Sequence, residues 1–163
     1  MYFVLRNNNE RRQKYESYAW LGFWANFIFL LANLISIPIY QVIYPKEIPS
    51  TYISNVHNAS IISTHPSAEE DRTINKERLQ EQLPSLKQTK IYSYEWYMDT
   101  HMSTDSYNKN ERFPYQLVDA TSKWGSGVHS IIFIEDDGKG ILITTADRQL
   151  YFRSENSIIE GMD

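Results

Sequence analysis

Cysteine does not occur in this chain of 163 residues. Its absence excludes disulfides, thiolate metal sites, cysteine nucleophiles and a lipid anchor attached through cysteine. Basic charge is scarce too. Lys and Arg number 16 against 20 Asp and Glu, for a net charge of −4. That leaves no broad cationic footprint for a nucleic acid. No phosphate loop, dinucleotide fingerprint or internal repeat is present. The most informative lack is local: between Ser17 and Pro45 no residue is charged.

That stretch reads SYAWLGFWANFIFLLANLISIPIYQVIYP. Its apolar heart, Trp20 to Tyr44, spans about 37 Å at 1.5 Å per helical residue. A bilayer core is about 30 Å thick. The run therefore predicts one transmembrane helix over residues 17–45. Tyr15, Tyr18, Trp20 and Trp24 crowd one end, and Tyr40 and Tyr44 the other, where amphipathic rings favour the headgroup level. Pro38 lies near the second end, where a kink costs least. Arg6, Arg11, Arg12 and Lys14 precede the run, whereas Lys46 follows with Glu47 beside it. The positive-inside rule then places the tail, residues 1–16, in the cytoplasm and the remainder outside the cell or inner membrane. The apolar run is about twice a typical signal-peptide h-region, and no small-x-small cleavage pattern follows it, so it reads as an uncleaved signal anchor.

At about 100° per residue, one arc of this helix collects small and amide side chains: Gly22, Ala25, Asn26, Ala32, Asn33 and Ser36. Phe23, Trp24, Phe27, Ile28, Leu31, Leu34 and Ile35 cover most of the rest. Small residues allow close backbone approach and amides bond across, so the arc predicts helix–helix packing with another membrane protein or a second copy.

Residues 46–66 are rich in Ser, Thr, Asn and Pro and read as an extended tether with one short strand at Ile61 and Ile62. Residues 67–163 read as one small extracytoplasmic α+β domain with one helix and an antiparallel sheet of about five strands. The helix is expected over residues 67–83, with Ser67 and Glu70 as a capping box and Pro84 as its stop. From Lys90 the period becomes two. Tyr92, Tyr94, Trp96 and Met98 alternate with Ile91, Ser93, Glu95 and Tyr97, which predicts a strand with one strongly aromatic face. Further strands are expected over 113–119, 128–135, 141–146 and 149–153. Asp137-Gly138 supplies a hairpin turn, and the tail from Ser154 is expected to fray.

Candidate chemistry is thin. Asp99, His101 and Asp105 lack the spacing of a metal site. Ser126, His129 and Asp119 can be assembled into a triad on paper, without a G-x-S-x-G elbow. Glu135, Asp136 and Asp137 read as a solvated hairpin tip. Hence no catalytic group, cofactor or metal is expected. Tyr92, Tyr94, Trp96, Tyr97 and Trp124 are the surplus aromatics best suited to a protein-binding surface. The sequence thus points to a non-catalytic, single-pass accessory or assembly subunit. A membrane-anchored immunity or inhibitor protein is the alternative of the same class, and a membrane-tethered hydrolase is the alternative of another.

Overall fold

The computed structural model describes residues 9–91, 94, 98 and 110–162. They fall into two compact units, the first ending at Ile43 and the second beginning at Tyr44. The first is a single helix, α1, Asn9–Ile43, 35 residues long, or about 52 Å at 1.5 Å per residue. Its stretch Tyr15–Ile43 is long and apolar enough to cross a membrane, and every side chain in that stretch is exposed. Pro38 lies inside the helix without ending it. Having no N–H, it leaves the Leu34 carbonyl without its usual donor one turn along.

The second unit is an antiparallel sheet of six strands with one short helix, an α+β architecture. The strands are β1 Ser60–Ser63, β2 Lys87–Gln88, β3 Tyr115–Val118, β4 Ile131–Ile134, β5 Gly140–Thr144 and β6 Gln149–Arg153. Their order is β1-β3-β4-β5-β6-β2. The meander β3 to β6 follows the four later runs expected as strands, and β1 and β2 close its two edges. At the β4–β5 turn the Gly138 N–H donates to the Glu135 carbonyl at 2.9 Å, with Gly138 at φ 69°. That left-handed conformation favours glycine, so the Asp-Gly signal works as expected.

Pairing register sorts the side chains. Leu117, Ile132, Ile143 and Leu150 form one row on the core face, and Tyr115, Ile134, Ile141 and Phe152 form the next. All eight are buried. Packed over them are Leu79 and Leu83 from the short helix α2, Lys76–Gln82, and the turn after it. Ile132→Ala is expected to cost about 2–5 kcal/mol, the range for truncating a well-packed core side chain. Chemical denaturation checks it, and an unchanged midpoint would remove Ile132 from the core.

Four expectations are corrected. Residues 46–66 are not an extended tether: Tyr52, Ile53, Val56 and Ala59 are buried core residues. Buried apolar side chains outweigh the loop-like composition around them. A soluble fragment of this unit should therefore begin near Lys46, not at Pro66. Second, the helix starts at Lys76. Asp71 adopts φ 62°, and Ile74 bridges to Ile159. The cap is Asn75, whose side chain accepts the Arg78 N–H at 2.8 Å. Ser67 instead accepts the Glu111 N–H at 3.0 Å. Third, the tail after Ser154 does not fray, because Ser157, Ile158 and Ile159 are buried and the Ile158 N–H donates to Gly138. Fourth, Tyr94 and Met98 are helical rather than extended. The remainder of that aromatic segment, with Tyr92, Trp96 and Tyr97, lies outside the described residues, as do Asp99, His101 and Asp105.

Candidate functional site

The sheet's second face holds a charged cluster. Gln116, Phe133, Leu142 and Tyr151 form a row across β3 to β6, on the side opposite the core by the two-residue period. Phe113, Leu142 and Tyr151 bury one another there, with Ile91 and Phe133 packed against them. Beside this row Gly140 pairs with Arg153, and the Glu135 N–H donates to the Gly140 carbonyl at 2.8 Å.

Glu135, only 5% exposed, is the centre. Arg112 Nε donates to its Oε1 at 2.8 Å. The Tyr151 hydroxyl and Arg153 Nη1 both donate to its Oε2, each at 2.5 Å. Arg153 Nη2 donates to Asp137. The Arg112 guanidinium also lies 5.4 Å from the Phe113 ring centre and 5.3 Å from that of Tyr151, within cation–π range. Gly140 makes the space: a Cβ there would overlap the Glu135 carboxylate and lie 2.8 Å from Glu135 Cβ.

The electrostatics agree with the geometry. Burial pulls the Arg112 and Arg153 pKa values down. Opposing it, the Glu135 bond and charge hold Arg112 above its ordinary value. The Tyr151 hydroxyl and the Glu135 and Asp137 charges do the same for Arg153. Burial, then the bond to Glu135, pushes the Tyr151 phenol up. Two guanidiniums thus balance two carboxylates, and the phenol keeps its proton. Three donors occupy most of the acceptor sites of the Glu135 carboxylate, and the group is buried, so it presents little to a substrate. The cluster acts as a clamp joining the segment before β3, the β4–β5 turn and β6. It was missed in the sequence, where Glu135 reads as part of a solvated tip. Its partners at 112 and 153 meet it only through register. The signal available was Gly140, a glycine at the start of a strand, where it permits close approach of another group.

A second feature lies where the chain enters this unit. The Tyr44 hydroxyl donates to the Trp124 carbonyl at 2.9 Å. Lys123 Nζ lies 5.6 Å from the Tyr44 ring centre. Gly125 adopts φ 77°, and a Cβ on it would come within 2.7 Å of the Tyr44 hydroxyl. The Lys123 N–H donates to the Thr51 carbonyl at 3.0 Å, and Thr51 Oγ1 donates to Pro45 at 2.7 Å. Trp124 itself is 92% exposed. Of the aromatics expected to bind a partner, it and Tyr94, at 76%, are described and exposed.

On α1, Asn33 Nδ2 donates to the Phe29 carbonyl at 2.8 Å, and Ser36 Oγ donates to the Asn33 carbonyl at 2.8 Å. Part of the polar arc is therefore satisfied within its own helix. A Cβ on Gly22 would meet nothing within 4 Å, and Ala25, Asn26 and Ala32 are exposed beside it.

The paper triad does not assemble into an open site: Ser126 is buried, while His129 and Asp119 are exposed. Among the described residues no group of three or more His, Asp or Glu is placed to hold a metal ion. A shallow cleft of about 550 Å³ runs beside β1, lined by Ile61, Ser63, Asp71, Arg72 and Tyr115 among others. Comparison of the chain with protein-family models, curated proteins and solved structures finds no match.

Proposed function

We propose that this protein is a non-catalytic accessory or assembly subunit held in the cell or inner membrane by α1, with residues 44–163 on the outer side. The observation that carries the reading is the exposure of every side chain from Tyr15 to Ile43 on an apolar helix with no charge after Glu16. Water does not tolerate so large an apolar surface, whereas lipid covers it at no cost. Arg11, Arg12 and Lys14 before the span set its direction.

The partner is bound through the arc of Gly22, Ala25, Asn26, Ala32, Asn33 and Ser36. It is either another membrane protein or a second copy. Asn33 spends one N–H on Phe29 and keeps its amide oxygen and second N–H for a neighbouring helix. Each interhelical bond contributes about 0.6–2 kcal/mol, so two bonds and close packing are needed together. Asn26→Leu with Asn33→Leu is expected to weaken association by an order of magnitude or more while leaving insertion intact. Phe27→Leu with Leu34→Ile, on the far side, is the control. Crosslinking and co-purification in mild detergent read the result. Equal association of both double variants would leave α1 as an anchor alone.

A further inference from the structure

We infer that the turn Lys123–Ser126 is a second membrane contact, with the Trp124 indole seated in the headgroup layer of the bilayer that α1 crosses. The inference rests on the membrane reading of α1 and extends it to the outer unit.

Chain continuity gives the argument. Tyr44 is the first residue after α1 ends at Ile43. When α1 spans a bilayer, the Tyr44 backbone lies at or just beyond the hydrocarbon boundary, and its ring sits among the headgroups. The Tyr44 hydroxyl holds the Trp124 carbonyl at 2.9 Å, so the turn lies at the same level. The segment between is not slack. Pro45 and Lys46 carbonyls accept the side-chain hydroxyls of Thr51 and Tyr52 at 2.7 and 2.9 Å, and Thr51 in turn accepts the Lys123 N–H.

The chemistry of the turn fits that depth. An indole 92% exposed loses its apolar contacts in water, yet its amphipathic ring suits the headgroup region. Lys123 stands beside it over the Tyr44 ring, within reach of lipid phosphate. A second loop points the same way: Lys46 pairs with Asp147, at the β5–β6 turn, at 3.7 Å, and Arg148 is next to it. Gly125 adopts φ 77°, which favours glycine, and a Cβ there would crowd the Tyr44 hydroxyl, so the turn packs closely on the residue that leaves the membrane. The occupant is therefore the lipid surface, which the anchor supplies at high local concentration.

The test uses the full chain with Trp20→Phe, Trp24→Phe and Trp96→Phe, leaving Trp124 as the sole indole. It is reconstituted into vesicles of phosphatidylcholine and phosphatidylglycerol. The expected result is blue-shifted emission relative to the same chain in guanidinium. Lipids brominated near the headgroup should quench it strongly, and aqueous iodide should quench it several-fold less than in the unfolded chain. A second variant, Lys123→Cys carrying a spin label, is possible because no other cysteine exists. It should be shielded from an aqueous nickel relaxant in vesicles. Vesicle-bound chain with Trp124 open to iodide and the label open to nickel overturns the proposal and leaves the anchor standing. Chain that fails to sediment with the vesicles overturns the anchor reading, and the proposal falls with it.

Discussion

Gly140→Ala is expected to destabilise the second unit by about 3–5 kcal/mol, the range for breaking a buried ion pair. The added Cβ takes the space of the Glu135 carboxylate and lies 2.8 Å from Glu135 Cβ and Cδ. A flexible side-chain tip could move aside, but a Cβ cannot without shifting its backbone. Glu135 must therefore swing out, leaving Arg112, Arg153 and the Tyr151 hydroxyl without the acceptor they share. Arg112 is the costliest loss, because it is largely buried and the carboxylate is its ion partner. Glu135→Gln tests the same cluster without the steric change. It removes the charge, keeps the shape, and should lose somewhat less. In a double-mutant cycle the two losses should overlap rather than add, since both break one cluster. Denaturant unfolding of the full chain in detergent supplies the numbers. A Gly140→Ala variant within about 0.5 kcal/mol of the parent, the range of neutral surface changes, would mean that the clamp contributes nothing.

Placing charge at the middle of α1 is expected to have the other large effect. Leu30 and Leu31 lie near the centre of the Tyr15–Ile43 span, too far from either end for a long side chain to snorkel. An arginine at the centre of an inserting helix costs about 2.5–3.5 kcal/mol. Leu30→Arg with Leu31→Arg should therefore move most of the protein out of the carbonate-resistant membrane fraction. Leu30→Phe with Leu31→Phe should leave it there. The same membranes test orientation: protease added outside intact cells should digest the parent's C-terminal unit and leave the N-terminal tail. Unchanged membrane retention of the arginine variant, or a protected C-terminal unit, would defeat the topology.

The second unit is where local and tertiary information part. Strands β3 to β6 were legible because each is a short run rich in apolar, β-branched or aromatic residues bounded by turn signals, and Asp137-Gly138 carries its turn chemistry in two residues. The N-terminus of α2 has no such unambiguous local mark. Ser67 and Asn75 are both good caps, and only the bridge from Ile74 to Ile159 decides between them. Tyr52 and Ile53 sit in a stretch whose composition reads as linker, and Ile158 and Ile159 in one that reads as a loose end. Their burial depends on surfaces supplied by residues far away in sequence.

By itself the sequence determined that a long helix, apolar and free of charge from Ser17, precedes a mainly antiparallel α+β unit. Both facts follow from periods and lengths that a single segment displays. Only the tertiary structure decided that Glu135 is the buried centre of a charge cluster, that residues 49–59 and 157–159 complete the core, and that Trp124 is tied to Tyr44. Glu135 and Arg153 stand 18 residues apart along the chain, and Tyr44 and Trp124 stand 80 apart. Register and chain reversal bring them together, and no local pattern encodes a distance of that kind.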